Sequence, residues 1–300
     1  MKILIFGASG MIGSAMFRGL SENKDWDVWG TSRSDDIKRF FLKEQQDKLM
    51  VGVDVEKHDV LVRTFASLKP DVIVNCIGLT KHHKEAEDPQ LALPLNALLP
   101  HRIADVCALA GARLIHVSTD CVFAGTKGNY SEDDAPDALD VYGKSKCLGE
   151  VHYRHAITLR TSTIGHELQS AYGLLEWFLS LQGSCEGFNR AIFSGLPNTE
   201  FARVVRDVVI PRPDLHGLYH VGADPICKYE LLNLIASVYG KRIDIVRENE
   251  FMIDRSLNSA RFNQATGYRA AAWPELIQAM HASRQHETTK TGTACSITRC

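Results

Sequence analysis

The chain has 300 residues, 45% hydrophobic and 23% charged, the proportions of a globular protein of one large or two medium domains. Its formal charge of -2, with no arginine-rich run, leaves no electrostatic basis for binding nucleic acid. The start MKILIFGASG lacks the h-region and cleavage site of a signal peptide, and no apolar run approaches the ~18 residues of a membrane span. A cytoplasmic protein with no membrane attachment is expected. The eight cysteines are scattered without a CxxC pair. They predict reduced, mostly buried thiols, with neither a disulfide frame nor a metal site.

Residues 2–6, KILIF, are a short apolar run followed at once by GASGMIG and the helically spaced SAMFRGLSEN. This order predicts a strand, a glycine turn and a helix. Gly7, Gly10 and Gly13 would allow a tight turn. They would also let a pyrophosphate approach the helix N-terminus formed by Ser9, Met11 and Ile12. DVWGTSRS predicts a second strand ending near Gly30. An NAD site usually carries an Asp or Glu there to hold the ribose 2′-OH, whereas this chain offers Thr31, Ser32 and Arg33. Those groups suit a 2′-phosphate, so NADP(H) is predicted over NAD(H), with NAD left open.

MVGVDV (50–55) predicts a third strand whose end, Asp54 and Val55, flanks an adenine. VLVRTFASL is a helix, and DVIVNCIG a fourth strand bringing Cys76 and Gly78 to the cofactor. LALPLNALLPHRIADVCALAGA predicts one long helix, with Pro94 and Pro100 marking its start and first turns. RLIHVSTD is the fifth strand. Strands alternating with helices define an α/β fold, a Rossmann-type doubly wound parallel sheet with ligands at the strand C-terminal ends. Thr119 falls at such an end. Tyr142 and Lys146, four residues apart on a helix, share a face, and the ammonium is expected to favour the phenolate and lower its pKa.

GASGMIG, STDCVFAG and YGKSK, in this order, resemble the extended short-chain dehydrogenases/reductases. Within them the chain resembles the dTDP-4-dehydrorhamnose reductase group over nearly its whole length, to about residue 284. The resemblance implies NADPH-dependent reduction of the 4-keto group of a nucleotide-diphosphate 6-deoxy-4-ketosugar, in deoxysugar and surface polysaccharide precursor synthesis. It implies Tyr142 as proton donor to the carbonyl oxygen, Thr119 as its hydrogen-bonding partner, and Lys146 as holder of the nicotinamide ribose. It leaves a homodimer open.

After residue 150, AITLRTSTIG, NRAIFSG, GLYHVGA and RIDIVREN predict strands. SAYGLLEWFLSLQ, KYELLNLIASVYG and WPELIQAMHAS predict helices, and GLPNTEFARVVRDVVI resembles the group's turn-and-helix return to the cofactor domain. The expected division is a cofactor domain of residues 1–165 and 196–225, with a smaller discontinuous C-terminal substrate lobe of 166–195 and 226–284. The polar stretch 285–300 is expected to be a disordered tail.

Residues after Thr119 separate neighbouring chemistries. The 4,6-dehydratases of this superfamily have Asp–Glu, with the Glu as base; here Asp120 is followed by Cys121, which removes that base. The rhamnose reductases usually carry Tyr at Cys121 and Trp at Thr163. GDP-fucose synthases carry a Cys at the matching place, which makes Cys121 an epimerisation candidate with His166 as partner. Arg160, Asn198, Arg255 and Arg261 are substrate candidates, Arg255 toward a diphosphate. His82 and His83 are loop candidates beside the pocket. A binding module is the competing class, since the regulatory subunit of methionine adenosyltransferase also resembles this group.

Overall fold

The structure is a computed structural model, which describes residues 1–291 and the side chains of residues 1–285. The chain opens with β1 (Lys2–Phe6), α1 (Met11–Ser21), β2 (Asp27–Ser32), α2 (Lys43–Gln46), β3 (Leu49–Val51), α3 (His58–Leu68) and β4 (Val72–Asn75). Next come α4 (Pro89–Ala92), α5 (Leu99–Ala110), β5 (Arg113–Thr119), α6 (Val141–Leu148), β6 (Ala156–Thr161) and β7 (Thr163–Ile164). They are followed by α7 (Leu174–Ser180), β8 (Ser184–Phe193), β9 (Leu196–Pro197), α8 (Asn198–Val204) and β10 (Gly217–His220). The last elements are β11 (Ile226–Cys227), α9 (Lys228–Tyr239), β12 (Asp244–Asp254), α10 (Ala260–Thr266) and α11 (Trp273–Thr291).

Seven strands form one parallel sheet in the order β10-β6-β5-β4-β1-β2-β3. The period-2 alternation of each strand sends its residues to two separate cores. Ile3, Ile5, Ile115 and Val117 meet Met16, Phe17, Phe201 and Ile277 from α1, α8 and α11 on one face. Leu4, Phe6, Ile73 and Leu114 meet Leu61, Phe65, Ile103 and Cys107 from α3 and α5 on the other. This is a doubly wound, Rossmann-like α/β architecture.

A second sheet, β11-β8-β12, stands apart from the first, and β7 pairs only with β9. Four segments differ in length from their sequence prediction. The third strand stops at Val51, because Gly52 turns away at φ +75°, so Asp54 and Val55 lie beyond the sheet. The strands expected as NRAIFSG and RIDIVREN extend to ten and eleven residues, because they pair with each other along almost their whole length. The final helix continues to Thr291, into the stretch predicted to be a disordered tail. The rest of that stretch, 292–300, lies outside the described residues.

The long helix is interrupted. Pro94 and Pro100 lack an N–H, so the run from Pro89 to Ala110 cannot keep one i→i−4 ladder. Between α4 and α5 it widens into a π turn, Leu93–Leu98. Among the described residues no helix is long and apolar enough to cross a membrane.

Candidate active site

The glycine loop is shaped for close approach. Gly7 sits at φ +86°, and a Cβ on Gly13 would lie 1.9 Å from the Gly7 carbonyl oxygen. Only a residue without a side chain lets α1 start this near the end of β1. Gly10 caps α1 without a side-chain hydrogen bond, and no acidic residue occupies the first turn. The amides of Met11, Ile12 and Gly13 therefore form a helix start suited to a phosphate. Thr31, read as a 2′-phosphate ligand, has another task. Its hydroxyl accepts from Gly7 N at 3.2 Å and donates to Ile5 O at 3.3 Å, which ties the loop to β2. Ser32 is buried and accepts from Ser34 N at 3.2 Å. Arg33 is exposed directly beyond the end of β2.

Thr119 ends β5, and the chain then turns through Asp120–Val122. Its Oγ1 accepts from Cys121 N at 3.1 Å and donates to Asp120 Oδ1 at 3.2 Å. Helix α6 is capped by Asp140, whose carboxylate accepts from Gly143 N at 2.6 Å. It lies hard against the Thr119–Cys121 turn, since a Cβ on Gly143 would fall 2.3 Å from the Cys121 carbonyl oxygen. That contact brings Tyr142, one residue earlier, beside the Thr119 hydroxyl.

The expected tuning of Tyr142 by Lys146 is not what the electrostatics give. Burial pushes the phenol well above its ordinary pKa, the Thr119 hydroxyl beside it opposing the shift. A phenol that keeps its proton through neutral pH is the form a proton donor needs. Lys146 instead runs toward the sheet, where Nζ donates to Val117 O at 2.8 Å. Burial lowers its pKa to about 8, with Glu150 and Cys76 acting the other way. A Cβ on Gly78 would stand 3.8 Å from that Nζ, so the glycine keeps the space above the ammonium open. Cys76, next to it, is held as a thiol by burial, its pKa pushed up to about 12.

Asn96 was not found by the sequence reading. The π turn aims it inward, where Oδ1 accepts from Leu79 N at 2.8 Å. Its Nδ2 donates to Leu79 O at 3.0 Å and Ser145 Oγ at 3.1 Å. One amide thus fastens the loop after β4 to α6. The two prolines around an Asn were the available signal, since a proline-broken helix must re-aim its side chains.

The substrate candidates divide. Arg160 is 2% exposed and forms a bidentate pair with Glu150, Nε to Oε1 and Nη2 to Oε2 both at 2.7 Å. Its Nη1 meets His220 Nε2 at 3.2 Å, and burial lowers the His220 pKa to about 3, so the imidazole is a neutral acceptor. Arg160 therefore serves the fold rather than the pocket. His166 does not meet Cys121; its ring nitrogens engage Glu176 Oε1 at 2.6 Å and Tyr239 OH at 3.0 Å. Arg261 pairs on the surface with Asp133 at 2.6 Å. Asn198 Nδ2 donates to Met11 O at 3.1 Å, tying α8 to the start of α1. His83 packs edge-on against Tyr172, whereas His82 feels the charges of Lys81 and Glu167.

Arg255 does reach the centre, its Nη1 3.7 Å from Cys121 Sγ, as does Lys81, whose Nζ lies 3.4 Å from the same sulfur. Cys121 is buried, and burial followed by the Asp120 charge raises its pKa. Lys81 was not singled out from sequence, because a loop lysine carries no spacing signal.

The sheet order and the glycine loop, with Thr119 at the sheet's C-terminal edge and Tyr142 and Lys146 on α6 beside it, define a Rossmann-like, dinucleotide-binding type of protein. The chain belongs to the family described as the RmlD substrate binding domain, whose profile matches residues 1–284. It is 30% identical to methionine adenosyltransferase 2 subunit beta of Xenopus laevis over 79% of this chain and 72% of that one. It is 34% identical to dTDP-4-dehydrorhamnose reductase of Salmonella typhimurium over 50% of this chain and 46% of that one. The fold matches the crystal structure of dTDP-4-dehydrorhamnose reductase from Bacillus anthracis in complex with NADP. There the TM-score is 0.77 at 18% identity, over 94% of this chain and 98% of that one.

Proposed function

We propose that this protein reduces the 4-keto group of a nucleotide-diphosphate 6-deoxy-4-ketosugar with NADPH, in the cytoplasm, for deoxysugar and polysaccharide precursor synthesis. The observation that carries the reading is the packing of α6 against the Thr119–Cys121 turn at the end of β5, which sets Tyr142 beside Thr119 and puts a buried Lys146 on the same helix. NADPH, when bound, supplies the hydride. The glycine loop Gly7, Ser9, Gly10 and Gly13, with Met11 and Ile12, would hold its pyrophosphate; Arg33 and Ser32 would hold its 2′-phosphate, and NAD is the alternative. Asp54 and Val55 would flank the adenine, and Cys76 and Gly78 would border the nicotinamide end, where Lys146 would hold the ribose.

As negative charge develops on the carbonyl oxygen, Tyr142 gives up its phenolic proton and Thr119 keeps the oxygen in line by its hydroxyl. The lobe carrying β8 and β12 would hold the sugar nucleotide, with Arg255 reaching it. Free thiols at Cys76, Cys107, Cys121, Cys147, Cys185 and Cys227 accord with a reducing compartment. Leu98, which closes the π turn, and Leu148, which closes α6, are exposed and are candidates for a homodimer contact.

A second reading is a regulatory subunit without turnover, and the similarity to methionine adenosyltransferase 2 subunit beta favours it. The test is NADPH oxidation with a panel of 4-keto-6-deoxysugar nucleotides. Turnover with one of them supports the reductase. Tight NADPH binding with no turnover on any of them, and a co-purifying partner, supports the subunit.

A further inference from the structure

Three cationic side chains from separate segments converge on the turn after β5. Lys81 follows β4, Arg255 follows β12 and Lys228 opens α9. Lys81 Nζ and Arg255 Nη1 both face Cys121 Sγ, and Arg255 Nε is fixed by the Phe123 carbonyl at 2.7 Å. Lys228 feels Lys81, Asp120, Cys121 and Arg255, and burial, then Lys81, lowers its pKa. The approach of Arg255 depends on Gly125, at φ +88°, where a Cβ would stand 2.9 Å from the Arg255 Cγ.

These charges do not cancel. Among the described residues none of the three forms an ion pair with a carboxylate within 4.0 Å, although Arg160 and Arg261 nearby in the fold both do. Asp120 is the acidic neighbour in the turn, and its Oδ1 is engaged by Thr119. Glu167, which acts on His82, is taken by Ser170 and Gly173. Cys121 is kept a neutral thiol and is no counter-ion. Lys228 and Arg255 are partly buried, and such cations without a counter-charge are costly unless an anion joins them.

We infer that Lys81, Lys228 and Arg255 form an oxyanion subsite beside Thr119 and Tyr142, into which the substrate places a phosphate of its diphosphate or a carboxylate on its sugar. The word substrate rests on the reductase reading; the subsite itself rests on the three cations. Sequence alone nominated only Arg255. The other two lie in a loop and at a helix start far apart in the chain, and only the fold joins them.

The test is calorimetric titration of the NADP+-saturated protein with inorganic pyrophosphate and, separately, with D-glucuronate. Saturation keeps pyrophosphate off the glycine loop. The subsite predicts that at least one probe binds the wild type, more weakly as salt rises. Each of K81Q and K228Q then weakens it at least tenfold with unchanged NADP+ affinity. A pyrophosphate response identifies a diphosphate, and a glucuronate response a sugar acid. Lys81 is exposed, so K81Q reads the site without disturbing the core. Binding of neither probe to the wild type, or equal affinity in all three proteins, overturns the subsite. Turnover of a ketosugar nucleotide without probe binding sinks the subsite alone, whereas probe binding without turnover removes the reductase reading and leaves the subsite.

Discussion

At the residue scale the proposed reduction turns on one proton. Tyr142 is held protonated by burial, so its donor role needs no deprotonated lysine beside it. Tyr142→Phe should lower turnover by roughly two to four orders of magnitude, read as NADPH oxidation, with NADPH affinity retained. Lys146 obeys a different logic. Its pKa is about 8 in the fold and near 10.5 when unfolded, so the unfolded chain binds more protons between those values. Stability should therefore rise with pH from about 8 to 10.5, and below 8 the full cost of the buried ammonium stands. Lys146→Met should flatten that rise in thermal unfolding scans and leave the melting temperature at pH 7 undiminished. Turnover should nevertheless fall at least about a hundredfold, as loss of a positioning group does. Arg33→Ala should raise the Kd for NADPH about tenfold or more and leave that for NADH unchanged, since a charge-assisted phosphate contact is worth ~1.5–3 kcal/mol.

At the element scale, two devices hold the candidate site in place. The first is the Glu150–Arg160 pair behind β5 and β6, to which Ser118 Oγ also donates at 2.7 Å. Glu150→Ala strands a buried guanidinium and should cost about 3–5 kcal/mol in urea unfolding. The double change Glu150→Leu with Arg160→Met should recover most of that loss, because neither charge is then left alone. The second device is the close passage of α1 over Gly7. Gly13→Ala puts a methyl where the Gly7 carbonyl stands, and NADPH affinity should fall while the overall circular dichroism spectrum is kept. Elements with strong local signals were legible before the fold was known. KILIF, VIVN and RLIHVST are apolar β-branched runs buried in a parallel sheet, and their pattern is a property of the strand alone. The lengths of β8 and β12 were not legible. Each strand is long because the other is there, and much of β12 is exposed and without alternation to read.

At the scale of the whole molecule, the doubly wound sheet followed from the alternation of strands and helices, and the Thr119, Tyr142 and Lys146 set from three ordered motifs. What sequence could not supply was the partner of each charge. Arg160 and Arg255 look alike as letters in the chain. The fold pairs the first with Glu150 inside and leaves the second facing Cys121. His166 lies just past a motif that points to the pocket, yet its ring is spent on Glu176 and Tyr239. Long-range pairing decides such roles, and a list of spacings does not contain it. The same limit separates the reductase from the regulatory subunit, because a glycine loop and a doubly wound sheet do not by themselves specify turnover.

The measurement that bears most directly on the central claim is the initial rate of NADPH oxidation with 4-keto-6-deoxysugar nucleotides, run in parallel on the wild type and Tyr142→Phe. The account predicts that at least one ketosugar nucleotide is reduced at its 4-keto carbon by the wild type, and that the rate is lost in the variant. It is contradicted if the wild type binds NADPH yet oxidises it with none of them, or if Tyr142→Phe turns over at the wild-type rate.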